Sequence, residues 1–196
     1  MAVSKERFEQ GLTYDGYRAQ MTRNREKLEE NERTVALAPA DIDAFRAAGP
    51  LHVLVLTEDW CGDALANVPT LGRIAREAGT LDLRVFLRDA NEDLAGQYLN
   101  GEYRSIPVFA FFDEAFREIG RWIERPASVT ALRKERRATI YASDPRFGSP
   151  DAPADQLADD VRADLTAALQ QMRDEMRPFA DSEVVRELKE IVARVA

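Results

Sequence analysis

Apolar positions between residues 51 and 123 recur in short blocks that switch between strand and helix periods. Residues 53–56 are continuously apolar after His52, which predicts a buried central strand over 51–57. Residues 61–78 then take a helical period. Leu65, Val68, Leu71, Ile74 and Ala75 form its buried stripe, and Gly79 closes it. Pro69 falls inside this helix, where it removes one backbone hydrogen bond and kinks the axis. Leu81, Leu83, Val85 and Leu87 begin in alternation with polar neighbours and predict a second strand. A short helix is expected over 91–99 and a third strand over 106–112, in which Pro107 must hold the first position or an edge. A tight turn at 113–115 lets 116–123 pair back as a hairpin. Strand, helix, strand, helix, strand, strand, helix describes an α/β unit with a mixed sheet and helices on its faces.

The flanks are helical. Phe8, Leu12, Tyr14, Tyr17, Met21 and Leu28 are spaced by threes and fours in a charged stretch, with the better helix over 14–31. A short strand is expected at 34–37, then a short helix begun by Pro39, carrying Ile42 and Phe45 and ended by Gly49-Pro50. Residues 128–142 form a basic helix whose cluster at 133–137 reads as a solvated face. After a loop at 143–154, two amphipathic helices are expected at 154–177 and 181–195, separated by Pro178 and with Asp181 or Ser182 as the second cap. Met172 and Met176 read as packing. The domains are thus an N-terminal helical arm (1–32), the α/β domain (33–125) and a C-terminal helical extension (126–196). The extension either covers the domain's own back face or joins two chains as a homodimer.

Composition narrows the chemistry. There is one cysteine, Cys61, and one histidine, His52. An intramolecular disulfide, a multi-thiolate zinc site, a His-rich metal site and an ordinary Ser-His-Asp triad are all excluded, and no cofactor or metal is expected. His52 itself reads as a strand-end residue. A formal net charge of −8 argues against nucleic acid and against an anionic membrane surface. No apolar run approaches a bilayer span, and the first residues lack the apolar core of a signal peptide, so a cytoplasmic protein is expected.

The chemistry centres on Trp60-Cys61-Gly62-Asp63-Ala64, where the first strand ends and the long helix begins. Unpaired N–H groups in a first helical turn stabilise an anion, and so favour the thiolate that attacks disulfides. Gly62 leaves the turn open and Trp60 offers an apolar wall beside the sulfur. Glu58, Asp59 and Asp63 work the other way, since nearby negative charge raises a thiol pKa. Arg88, at the end of the second strand, offsets that charge, holds a substrate carboxylate, or forms a local ion pair.

This turn, with Pro69, Ile106-Pro107 and Gly120 in the same order, resembles the thioredoxin superfamily over about residues 33–125. Trp-Cys-Gly-Asp with a helical tail is most similar to bacterial thioredoxin-like proteins. The resemblance implies a thioredoxin-like fold, a helix-kinking role for Pro69, and a cis-proline motif at Ile106 and Pro107 facing Cys61. It implies substrate contacts at Trp60, Gly62, Asp63, Ile106 and Pro107. It also marks two departures. Alanine stands at position 64, where the family's second cysteine falls, and the strand at 53–56 lacks the buried acid the family often uses for proton transfer. Two readings follow. One is single-thiol exchange through Cys61, with protein thiols and disulfides or a small thiol such as glutathione as partner and with a depressed thiol pKa. The other is a redox-inactive binding, adaptor or chaperone-like module that uses the groove by Trp60 and Pro107.

Overall fold

The computed structural model describes residues 3–195. Its sheet grows outward from β2 (Leu51–Thr57). β3 (Leu81–Leu87) lies parallel to β2, with Leu51 opposite Leu81 and Thr57 opposite Leu87. β4 (Val108–Phe112) runs antiparallel along the other side of β2, and β5 (Glu118–Ile123) pairs back on β4. A two-residue strand, β1 (Leu12–Thr13), closes the outer edge of β3, giving the order β1-β3-β2-β4-β5. The crossover between the parallel strands is α5 (Gly62–Ala78). This is the mixed sheet with flanking helices that the periodicity predicts.

Side chains alternate across a strand, so the apolar run of β2 supplies two cores. Val53 and Val55 join Val85, Phe109 and Phe111 on one face. Leu54 and Leu56 join Phe86, Val108, Ala110 and Phe112 on the other. The first face is covered by Val68, Leu71 and Ile74 of α5, by Leu28 of α3 (Arg25–Thr34), and by Ile42 and Phe45 of α4 (Pro39–Ala47). The second is covered by Phe8 of α1 (Lys5–Glu9) and by Leu94, Ala95 and Tyr98 around α6 (Glu92–Ala95). Leu54 and Leu71 are fully buried, and each such side chain contributes about 1.5–3 kcal/mol of transfer free energy. His52 occupies the second position of β2, with Nδ1 3.5 Å from Asp82 Oδ2 and its ring 5.3 Å from Phe8 and 5.1 Å from Phe116.

The described residues divide into two compact units. One holds the residues up to Arg125 together with those from Val184 onward, and the other is Pro126–Glu183. Within the second, α7 (Ala127–Ser143) and the first part of α8 (Asp159–Val192) pack through two small clusters. Tyr141, Phe147, Val161 and Leu165 form one, and Val129, Met172 and Met176 the other. The methionines are core. In the first unit, Val184, Leu188, Ile191 and Val192 of α8 join the sheet's first core, so this stretch packs on its own chain.

The flanks depart from expectation at several places. The helix expected over 14–31 is two, α2 (Tyr14–Gln20) and α3, because Asp59 holds the chain between them. Its carboxylate accepts from the backbone N–H groups of Thr22 and Arg23 at 3.0 and 3.1 Å, and Asn24 turns left-handed at φ 57°. No strand forms at 34–37. There α3 runs on to Thr34, whose hydroxyl donates back to Glu30 and Asn31, and the edge of β3 is taken by β1 instead. The helix expected over 91–99 shortens to a 3-10 turn (Arg88–Ala90) and α6. Pro178 does not split the C-terminal helices; α8 runs through it. A proline removes only its own N–H from the ladder. Asp181, read as a cap, instead accepts from Arg177 Nε at 2.8 and 2.9 Å across the proline.

Close approach of α8 to β5 depends on Gly120. A Cβ there would lie 2.9 Å from Ile191 Cγ2 and 2.8 Å from Arg194 Nη1. Arg194, which donates to the Ile119 carbonyl at 3.0 Å, can swing aside, but Ile191 is core. Trp122, two residues on, stacks on Phe109 at 4.9 Å and donates Nε1–H to Glu187 Oε2 at 2.7 Å, which fixes the helix against the strand. Gly120→Ala is therefore expected to lower stability by about 1–3 kcal/mol through overpacking. Urea denaturation checks this, and an unchanged midpoint would show that α8 yields without cost.

Candidate functional site

Cys61 is the N-cap residue of α5, with extended backbone (φ −82°, ψ 121°). Thr57 ends β2, and the chain then makes one turn in which Cys61 N–H donates to the Glu58 carbonyl at 3.3 Å. The Cys61 carbonyl accepts from Leu65 N–H at 3.0 Å and starts the helix. The sulfur therefore hangs beside the unpaired N–H groups of the first turn. The thiol also donates to the carbonyl of Ile106 at 3.6 Å, and the Ile106-Pro107 peptide bond is cis. Ile106 is buried in the second core, and the Pro107 carbonyl accepts from Glu124 N–H at 2.8 Å.

The other residues expected at the site surround this sulfur. Trp60 is 46% exposed, with the Arg88 guanidinium 5.0 Å over its ring. A Cβ on Gly62 would meet nothing within 4 Å, so the approach on that side is open. Asp63, in the first turn of α5, pairs with Arg125 at 3.1 Å. Ala64 is buried in the first core, so the position of the absent second thiol is occupied by packing.

Burial dominates the electrostatics and pushes the Cys61 thiol pKa up. The N–H groups of Ala64 and Asp63 pull it down, the Asp63 carboxylate raises it, and Arg88 lowers it. The net direction is upward, which corrects the expectation of a depressed pKa: the thiol is half-buried, and desolvation outweighs the helix terminus. The acidic surroundings are also less concerted than the sequence implied. Asp59 is turned away to Thr22 and Arg23, and Glu58 accepts from Asp89 N–H at 2.8 Å. Glu58 is buried, and its own pKa is raised, chiefly by desolvation.

Two residues behind the sulfur escaped the sequence reading as site residues. Tyr17 and Thr57 are almost wholly buried, and neither hydroxyl has a partner at hydrogen-bonding geometry, although they face one another. Burial pushes the Tyr17 phenol pKa up to about 12, the Thr57 hydroxyl draws it down, and the charges of Asp59, Glu58 and Cys61 raise it. Tyr17 thus stays neutral. In the sequence it is one member of a helical stripe, and nothing local marks its oxygen. A cleft lined by Arg88, Asp89, Glu102, Tyr103, Arg104 and Ser105, which shares Arg88 with the Trp60 ring contact, was likewise not marked. Among the described residues no group of three His, Cys, Asp or Glu side chains converges to hold a metal ion, and no helix is long and apolar enough to cross a membrane.

Comparison with known proteins bears on the fold. The chain is similar over 100% of its length to all of an HIV epitope scaffold, at 20% identity and a TM-score of 0.67. It is similar over 89% of its length to 99% of a Pseudomonas aeruginosa protein of unknown function, at 20% identity and a TM-score of 0.62. A Fasciola hepatica thioredoxin aligns over 44% of this chain and 78% of its own, at 26% identity and a TM-score of 0.33. No curated protein matches. The family described as thioredoxin matches residues 11–137, more than half of the 196, and its reach takes in β1, α2 and α3 as well as the sheet and the Cys61 turn. With the sheet order, the crossover helix and the cysteine at its first turn already in place, this match shows that the chain belongs to the thioredoxin family.

Proposed function

We propose that the protein carries out single-thiol exchange through Cys61, forming a mixed disulfide that an external thiol resolves. The observation that carries this is the position of the sulfur at the first turn of α5, against the Ile106 carbonyl and open on the Gly62 side. The Cys61 thiolate attacks one sulfur of a disulfide RS–SR. One S–S bond forms, one breaks, and RS⁻ leaves and takes up a proton. A second thiol, as thiolate, then attacks the mixed disulfide and releases Cys61. The N–H groups of Asp63 and Ala64 stabilise the thiolate at each turnover. Protein disulfides and small thiols such as glutathione are the partner classes, and the cytoplasm is a fitting setting because its thiol pool is reduced.

A second reading has its own support. The raised thiol pKa keeps most of Cys61 protonated at neutral pH, as an S–H donor to Ile106. A binding module that uses exposed Trp60, with Pro107 buried, needs no more than that. In a lysate pull-down, that module would keep its partners in Cys61→Ser and lose them in Trp60→Ala. Single-thiol exchange gives the reverse for Cys61→Ser: no adduct and no disulfide-trapped partner. Intact mass after exposure to hydroxyethyl disulfide separates the two.

The electrostatics set the pH dependence. Adduct formation is expected to rise with pH through a thiol pKa above the ordinary value of about 8.5. Arg88→Gln removes a charge that lowers this pKa and is expected to move the titration to higher pH. Asp63→Asn removes one that raises it and is expected to move it lower. Thiolate absorbance at about 240 nm reads both; shifts of the same sign would overturn this assignment of charges.

Burial of Glu58 has a stability consequence. Its folded pKa lies above the unfolded value, so its favourable contribution is complete below the unfolded pKa and is lost as pH rises through the folded one. Glu58→Gln keeps an acceptor for Asp89 N–H and removes the buried charge. The variant is expected to be at least as stable as wild type at pH 7, with the advantage shrinking as pH falls through the carboxyl range; thermal melts across that range test it.

A further inference from the structure

The cleft beside Trp60 takes no part in the exchange step itself. It is open, has a volume of about 610 Å³, and falls within the usual size range of small-molecule sites. Two features join it to the sulfur. Ser105 is the neighbour of Ile106, whose carbonyl receives the Cys61 thiol. Arg88 lines the cleft while its guanidinium covers Trp60 at 5.0 Å.

The charges lining the cleft are not equivalent. Arg88 is committed: Nε and Nη2 donate to Asp89 Oδ1 at 2.9 and 2.8 Å, and Nη1 donates to the Arg104 carbonyl at 3.3 Å. Asp89 is engaged by the same contacts. Arg104 and Glu102 are exposed, and among the described residues neither the guanidinium nor the carboxylate bonds to any side chain or backbone group. Tyr103 stands between them and is 75% exposed. The cleft therefore presents one uncommitted cation, one uncommitted anion and an aromatic face, joined to the Cys61 turn through Ser105 and Arg88. A purely anionic ligand would leave Glu102 opposed, and a purely cationic one would leave Arg104 opposed.

We infer that the cleft receives the zwitterionic body of a low-molecular-weight thiol or disulfide, an amino acid or short peptide bearing both a carboxylate and an ammonium group. Arg104 takes the carboxylate, Glu102 takes the ammonium, and the ligand's sulfur reaches Cys61. This assignment rests on the thiol-exchange reading above and names its substrate class. The reaction is the balanced exchange already given: Cys61 gains the S–S bond, and the departing half of the ligand leaves as a thiolate and is protonated.

The test uses the full chain and four symmetrical disulfides: cystine (zwitterionic), cystamine (cationic), dithiodipropionate (anionic) and hydroxyethyl disulfide (neutral). Adduct formation at Cys61 is followed by intact mass for wild type, Arg104→Gln and Glu102→Gln. Each rate is divided by the same protein's rate with the neutral reagent, and intrinsic reagent reactivities cancel when the variants are compared. Cystine has no net charge at neutral pH, so a change in overall protein charge leaves its ratio unmoved while loss of a specific pair lowers it. The cystine ratio is expected to fall about two- to fivefold in each variant, the range for a solvent-exposed ion pair. The dithiodipropionate ratio should fall only in Arg104→Gln, and the cystamine ratio only in Glu102→Gln. Cystine ratios unmoved in both variants, with the neutral adduct forming normally, would overturn the cleft assignment alone. Absence of any adduct even with hydroxyethyl disulfide would overturn the exchange reading on which it rests.

Discussion

β2 is buried on both faces, and the position of the sulfur depends on that. Val53 and Val55 anchor one core and Leu54 and Leu56 the other, so the strand cannot slip by one residue without exchanging the two sets. Thr57 is consequently held at one point, the turn that follows has one length, and α5 starts at Gly62 with Cys61 as its cap. The parallel pairing with β3 and the antiparallel pairing with β4 extend the same register to Leu87, which precedes Arg88, and to Val108, which follows Pro107. The positions of Cys61, Arg88 and Pro107 thus trace back to pairing along one strand.

The same packing works against the thiolate. A sulfur held this close to two cores loses water, and desolvation is the largest influence on its titration. The helix terminus that recommended Cys61 in the sequence acts in the other direction and is outweighed. Arg88 compensates in part while stacked over Trp60, and Asp63 is drawn off toward Arg125. Burial and the helix terminus thus act on the thiol in opposite directions, and burial prevails.

Legibility in the sequence followed periodicity. β2, α5 and the β4–β5 hairpin were readable because strand and helix periods are local and uninterrupted, and Cys61, Trp60, Asp63 and Pro107 came with them. Long-range contacts decided the rest. The break between α2 and α3 follows from Asp59, more than thirty residues away, whose carboxylate the sequence reading had assigned to the field around the sulfur. β1 forms because β3 has an open edge, which two residues of pattern cannot announce. α8 passes through Pro178 where the local rule predicted a stop, with the Arg177–Asp181 pair spanning the proline. Tyr17 and Thr57 were visible as a stripe residue and a strand end, but the meeting of their hydroxyls behind the sulfur depends on α2 packing on the sheet's first core.

Ala64 carries the last step. In a two-thiol site the resolving sulfur is supplied by the same turn, and the mixed disulfide need not last. Here position 64 is buried among core side chains, so no group of that turn can resolve an adduct on Cys61. In the proposed exchange, the lifetime of the adduct is then set by how readily an external thiol reaches the Cys61–sulfur bond. That approach is open past Gly62, where nothing lies within reach of a side chain, and past exposed Trp60 on the side of the cleft. In the proposed exchange, capture and release are therefore separate: the first step depends on the half-buried thiol of Cys61, the second on the concentration and fit of the incoming thiol. On that reading, selectivity for the second thiol falls to the residues flanking the site, because the turn itself has no second thiol.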